Sequence, residues 1–198
     1  SLSATLTNDR NYILVSTRNP VTNENFIWVK SLLDSTLDFK PIAQKSLADL
    51  QFIGNKDQIF YFQSNLSAPR NRVISIDLQK PSRRFWKEVI PQAKGVLVSA
   101  HKSANKFILN YKENTQTKLD LVSLNNSNQQ SIEISDYHDI NLNLHISQTR
   151  SFNHQILISE SNLISSAIPK TLDVNTGKFD SIIPVNSKPN PEAIVIIN

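Results

Sequence analysis

The stretch Phe60-Tyr61-Phe62-Gln63-Ser64-Asn65-Leu66-Ser67-Ala68-Pro69-Arg70-Asn71-Arg72-Val73-Ile74-Ser75-Ile76-Asp77-Leu78 decides the fold class. It holds two apolar runs separated by a turn-forming cluster. Val73 to Leu78 alternates apolar and polar residues, the pattern of a half-buried strand. Phe60-Tyr61-Phe62 is short and aromatic, and the Ser, Asn, Pro and Arg residues between the runs favour a turn. The two runs read as neighbouring antiparallel strands.

The same arrangement recurs along the chain. Turn clusters at Asn8–Asn11, Gly54–Asp57, Ser103–Lys106 and Ser151–His154 each precede an apolar strand, beginning near Tyr12, Ile59, Phe107 and Ile156. The steps between those starts are 47, 48 and 49 residues. A second series, Ile27, Ile74, Leu121 and Ile168, advances by 47 at each step. A third, Phe39, Trp86, Ile132 and Phe179, advances by 47, 46 and 47. Three series in phase, with about four strands per unit, are the pattern of a β-propeller. A helical solenoid of similar period needs apolar residues at i, i+3, i+4 and i+7, and would not carry such frequent turns.

The fold expected is therefore all-β, about four blades of four antiparallel strands. The blades are placed at 1–45, 46–92, 93–135 and 136–185 of a single domain. Within the second blade the strands are expected at Leu50–Ile53, Gln58–Gln63, Asn71–Leu78 and Phe85–Ile90. The only helical scrap expected is short, such as Ser46–Leu50. With only 3 Gly in 198 residues, Asn and Asp are expected to supply the positive-φ turn positions.

Composition narrows the chemistry. Apolar residues make up 39% and charged residues 19%, an ordinary globular balance, and the net charge is +4. The basic residues are scattered rather than gathered on one aromatic-rich face, so no nucleic-acid partner is expected. No stretch reaches the roughly eighteen consecutive apolar residues of a membrane helix, and no membrane partner is expected. Ser1–Thr5 lacks the layout of a signal peptide, which favours a cytoplasmic setting, and the absence of a start Met leaves the true N-terminus open. There is no Cys, which removes disulfides, thiolate metal sites and a cysteine nucleophile.

The glycines, Gly54, Gly95 and Gly177, are isolated. A Gly-x-Ser-x-Gly nucleophile elbow, a P-loop and a dinucleotide fingerprint are all absent. The histidines, His101, His138, His145 and His154, show neither His-x-His nor i, i+4 spacing. They read as loop or rim residues. Trp28 and Trp86 are read at equivalent strand regions of the first two units, packing between blades rather than stacking on a ligand. No catalytic, cofactor-binding or metal-ligating residue is assigned, and no cofactor is expected.

The quoted stretch resembles the propeller domain of the prolyl oligopeptidase family of serine peptidases. That family pattern has an aromatic strand, Ser/Thr-Asn, an Ala-Pro pair and a strand ending in Asp. Phe85-Trp86-Lys87-Glu88-Val89-Ile90-Pro91 is similar to its Trp-x-x-Leu/Ile-Ile-Pro segment. Asn25-Phe26-Ile27-Trp28 is similar to its Asn-x-Leu-Trp/Tyr strand, and Leu172-Asp173-Val174-Asn175-Thr176-Gly177 to the turn of its last blade. The likeness runs over about residues 5 to 185, strongest at 58–91. One departure is Ser161–Ser166, which lacks the family's proline. The prolyl endopeptidase and oligopeptidase B branches are not separated by these motifs.

The resemblance implies four blades of a seven-bladed propeller, capping an α/β-hydrolase domain that holds the whole catalytic triad. It implies a non-catalytic, substrate-gating role in a peptidase of short peptides. It also places a family loop near the substrate pocket at about Arg18 to Val21, without a defined site. Two open lateral faces on such a fragment would expose apolar residues and favour self-association. The alternative class is a stand-alone, propeller-type module that binds proteins or peptides without enzymatic activity.

Overall fold

The computed structural model describes residues 2–124 except 23, 35, 37, 47 and 115, and then 143–146, 155–161 and 168–182. They form two compact units, Ser1–Ile140 and Asn141–Asn198. The first unit contains three antiparallel sheets. Sheet 1 is β1 (Leu2–Leu6), β2 (Tyr12–Arg18), β3 (Asn25–Ser31) and β4 (Lys40–Ser46), hydrogen-bonded in chain order. Sheet 2 is β5 (Leu50–Lys56), β6 (Ile59–Ser64), β7 (Arg72–Asp77) and β8 (Lys87–Ile90), likewise in order. Sheet 3 has three described strands, β9 (Val96–Ser103), β10 (Lys106–Glu113) and β11 (Gln116–Ser123). Ile132 of the third apolar series lies outside the described residues.

The second unit holds sheet 4, of β12 (Asn143–Ile146), β13 (Gln155–Ser161), β14 (Ile168–Asp173) and β15 (Phe179–Ser181). Ile156, Ile158, Leu172 and Val174 are buried within it. The turn after β14 is closed by Asp173, whose side-chain Oδ1 accepts from the backbone N–H groups of Asn175 and Thr176, both at 2.8 Å. Gly177, at φ 73°, completes it by donating its N–H to the Asp173 carbonyl at 2.8 Å. This is the Leu172–Gly177 turn singled out in the sequence. The turn cluster Ser151–His154 and residues 162–167 lie outside the described residues.

The three apolar series mark successive strands of each sheet. The first opens β2 and β6 and lies one residue inside β10 and β13. The second lies in β3, β7, β11 and β14, and the third just before β4 and β8 and at the start of β15.

Sheet 2 is packed on both faces, which corrects the half-buried reading of β7. Phe60, Phe62, Ile74 and Ile76 face sheet 1 and join Tyr12, Leu14, Ile27, Val29 and Ile42 in one core. Tyr61 and Val73 face sheet 3 and join Leu97, Phe107, Leu109 and Val122 in a second. Ser75 is therefore buried instead of facing water. Each junction carries an edge-to-face aromatic contact. Tyr12 meets Phe60 at 5.2 Å and Tyr61 meets Phe107 at 5.1 Å between ring centroids. Such pairs contribute about 1 kcal/mol beyond their buried area.

β5 also lies beside β9, so sheets 2 and 3 converge on their first strands. Gly54 makes that approach feasible. It sits at a register shift between Phe52 and Gly54, with φ +146°, and a Cβ there would stand 2.7 Å from the Lys102 Cβ of β9.

Other expectations need correction. Ser46 closes β4 and Leu50 opens β5, so no helix spans Ser46–Leu50; among the described residues the helical turn is a single 3₁₀ turn at Arg83–Phe85. That turn delays β8 to Lys87, two residues after the expected start. Among the described residues, the positive-φ side chains are Arg10, Asp57, Ser67, Asn71, Ala104 and Asn114. Half are Asn or Asp as expected. Arg10, Asp57 and Ala104 fall at intervals of 47 residues, so hairpin geometry sets the conformation there whatever residue occupies it.

Candidate functional site

The connections gather at two ends of the first unit. At one end lie the β1–β2, β5–β6 and β9–β10 hairpins. Asp9 links the first two, accepting from Asn55 Nδ2 at 2.7 Å across the sheet junction. The same carboxylate accepts from the Thr7 hydroxyl and from the Asn11 backbone N–H. Burial raises the Asp9 carboxyl, but these hydrogen bonds together hold it below its ordinary value. In the third hairpin, Lys102 Nζ donates to the Ala104 carbonyl at 2.8 Å. Burial and the neighbouring Lys56 charge lower the Lys102 ammonium.

At the other end, amide side chains tie each sheet to the next. Asn25 Nδ2 donates to the carbonyls of Ala48 (2.9 Å) and Ser46 (3.3 Å), just ahead of β5. Asn71 Nδ2 donates to the Leu97 carbonyl in β9 at 2.9 Å, and Gln63 Nε2 reaches the same carbonyl at 3.1 Å. Asn25 and Asn71 are separated by nearly one repeat. Both appear in the quoted sequence segments, but as polar residues they fall outside the apolar series and carry no sign of a bonding partner.

The segment Arg18 to Val21 lies at this second end. Arg18 closes β2 and pairs with Asp49 at 3.0 Å, while Asp49 Oδ2 accepts from Asn65 Nδ2 at 3.1 Å. Asn19 Oδ1 accepts from the backbone N–H groups of Val21 and Thr22, which fixes the turn. Val21 stands at its tip, 87% exposed. The turn is thus an anchored projection that carries an apolar side chain into solvent.

Trp28 and Trp86 are not equivalent, contrary to the sequence reading. Trp28 lies in β3, half-buried and stacked on Phe26 at 5.8 Å. Trp86 precedes β8, packs against the core between sheets 1 and 2, and donates its Nε1–H to the Pro81 carbonyl at 2.8 Å. His101 lies in β9 and His145 in β12, whereas His138 and His154 lie outside the described residues. Among the described residues no three His, Asp or Glu side chains gather at metal-binding distance. Tyr111, facing the junction of sheets 2 and 3, has its hydroxyl pushed up to about 12 by burial and the nearby Asp120 charge. It stays neutral at physiological pH.

Residues 1–182 match the model of the prolyl oligopeptidase N-terminal β-propeller domain. The chain belongs to this family. Its described strands are the propeller portion that the family model covers.

A prolyl oligopeptidase A from Galerina marginata is 29% identical over 123 residues, which are 59% of this chain and 16% of the relative. A prolyl endopeptidase from Dictyostelium discoideum is 28% identical over 172 residues, 82% of this chain and 21% of the relative. The chain therefore spans about a fifth or less of the length of these relatives. Among solved structures, apo prolyl oligopeptidase B from Galerina marginata superimposes with a TM-score of 0.75 at 21% identity, covering 91% of this chain and 26% of that one. Oligopeptidase B from Leishmania major gives 0.78 at 8% identity, covering 92% and 27%. These structural likenesses speak to the fold.

Proposed function

We propose that this propeller portion is the non-catalytic, substrate-gating part of a serine peptidase that acts on short peptides. The observation that carries the reading is the match of residues 1–182 to the N-terminal propeller domain of the family. Catalysis would be supplied by an α/β-hydrolase domain outside this chain, so no residue here carries a catalytic role. The blade limits 1–45, 46–92, 93–135 and 136–185 belong to the same proposal, as does self-association through an open sheet face.

The physical basis of gating is exclusion. In the proposed ring the first strands of the sheets, of which β5 and β9 lie side by side, would line a passage too narrow for a folded protein and wide enough for an extended peptide. The inter-sheet amide hydrogen bonds and the aromatic contacts oppose widening of that passage. The anchored turn at Arg18–Thr22 supports the reading by offering a fixed projection at one end of the sheets.

The test compares one scissile bond in two settings: a short chromogenic peptide containing Pro or Arg, and the same bond inside a long folded substrate. The intact polypeptide is expected to cut the first and spare the second, and the present chain alone is expected to cut neither. Serine-type hydrolysis by this chain alone refutes the non-catalytic assignment. Equal cleavage of both substrates by the intact polypeptide refutes gating.

A further inference from the structure

Two cavities lie end to end between sheets 1 and 2. One, of about 370 Å³, is lined by Tyr12, Lys40, Leu78 and Gln79. The other, of about 280 Å³, is lined by Ala43, Gln44, Arg83 and Trp86. Both are also lined by Pro41, Ile42 and Pro81, so they form one continuous groove. Its first wall is β4, the last strand of sheet 1, whose outer edge no strand of the sheet pairs. Its second wall is the connection from Leu78 to Trp86.

That groove has a fixed apolar floor. Tyr12 and Ile42 belong to the core, and the Trp86 ring is held by its hydrogen bond to Pro81. Pro41 and Pro81 add rigid apolar surface. Large apolar side chains stand exposed in the segments that flank it, Phe39 at 45% and Phe85 at 41%. β4 spans seven residues, so at about 3.3 Å per residue the groove accommodates an extended segment of roughly six residues.

Its charge is one-sided. Lys40 and Arg83 line the groove, and Lys80 and Arg84 lie on the second wall. Asp38 lines it as well, and Asp77 at the base of the second wall accepts from the Gln79 N–H. Among the described residues Lys40, Lys80 and Arg83 form no ion pair. The lining itself carries two cations, Lys40 and Arg83, against one carboxylate, Asp38, which favours an anionic occupant. Arg84 lies over the Phe85 ring at 4.7 Å and Lys30 over the Phe39 ring at 5.9 Å, so cations and apolar surface are interleaved at the margin of the groove.

We propose that this groove docks an extended partner segment in which acidic and large apolar residues alternate. The apolar side chains of the segment rest on Pro41, Pro81 and Trp86, and its carboxylates meet Lys40 and Arg83. Pro41 has no N–H to offer, so side-chain contacts contribute more than strand addition along β4. The surface is separate from the gating role and gives the propeller a second use as a docking platform.

The probe is a fluorescein-labelled acetyl-Glu-Leu-Glu-Phe-Glu-Leu-amide, followed by fluorescence anisotropy on the full chain. Saturable binding is expected, about tenfold or more tighter than for the same peptide with Lys in place of Glu. It should weaken with added salt. The double variant Lys40→Glu/Arg83→Glu, both at exposed positions, should lose about tenfold in affinity, while Lys112→Glu on β10 should leave it unchanged. A photo-reactive phenylalanine in the probe should crosslink to residues 40–46 or 78–86. Absence of saturable binding overturns the proposal, as do equal affinity for the Lys peptide, equal loss in Lys112→Glu, or crosslinks confined to other segments.

Discussion

Gly54→Ala is the sharpest single perturbation of this fold. Two separate costs meet at that position. The backbone has φ +146°, a region that side-chain-bearing residues adopt only under strain of about 1–3 kcal/mol. The new Cβ would also lie 2.7 Å from the Lys102 Cβ, against an ordinary contact of 3.4 Å or more. Relief would require β5 and β9 to part by several tenths of an ångström at their closest approach. Overpacking of this kind costs a further ~1–3 kcal/mol. The combined destabilisation is about 4 kcal/mol, a large share of the 5–15 kcal/mol typical of a whole domain. Urea denaturation followed by tryptophan fluorescence measures it. The two costs separate in a double-mutant cycle. Lys102→Gly removes the opposing Cβ, so Gly54→Ala should cost about 2 kcal/mol less in that background. Lys102→Ala keeps the Cβ and should give no such relief. If Gly54→Ala lies within about 1 kcal/mol of the parent, or if Lys102→Gly and Lys102→Ala behave alike, the close-approach argument is wrong.

Asn71→Gly preserves access to its positive φ while deleting the amide tie to Leu97, and a loss of about 1–2 kcal/mol is expected in the urea midpoint. Phe60→Ala empties the centre of the core between sheets 1 and 2 and should cost about 3–5 kcal/mol by thermal unfolding. Ala104→Gly, at φ 48° in the third hairpin, should raise the melting temperature by relieving a left-handed alanine, a gain of up to about 1 kcal/mol. Asp9 has a folded pKa below its unfolded value, so its stabilisation is complete above the ordinary carboxylate pKa and is lost as pH falls through the depressed one. Stability measured between pH 5 and pH 2 should therefore fall less steeply in Asp9→Asn than in the parent.

The repeat was legible because strand starts must be apolar wherever a neighbouring sheet covers them. Tyr12, Ile59 and Phe107 obey that rule, and so the phase survived in the sequence. Less legible was which faces the sheets cover. Ser75 looks solvent-facing in isolation, yet it is buried because sheet 2 is packed on both sides. Turn positions were half legible. Asp57, Asn71 and Asn114 suit positive φ by their own chemistry, whereas Arg10 and Ala104 adopt it because the hairpin requires it. Trp28 and Trp86 share an identity but not a phase: Trp86 is the counterpart of Phe39, 47 residues earlier. The inter-sheet bonds of Asn25, Asn55 and Asn71 bridge residues from 23 to 46 positions apart. No local pattern encodes such a partner, although a search for polar residues in phase would have found Asn25 and Asn71.

Under the gating proposal, the junctions bear on the route by which a peptide passes. One route is transient separation of two sheets, and the other is an opening already present at an end of the passage. Parting sheets 1 and 2 would expose Tyr12, Leu14, Ile27, Val29, Phe60, Phe62, Ile74 and Ile76, all buried now. At about 1.5–3 kcal/mol for each large side chain, the cost is on the order of 15 kcal/mol, as much as the whole stability of an ordinary domain. It would also break the Asp9–Asn55 bond at one end. Sheet separation at that junction is therefore equivalent to unfolding, and too rare to serve turnover. Under the gating proposal, entry has to depend on the ends of the sheets, where the turns move at far lower cost and where the Arg18–Thr22 projection already stands.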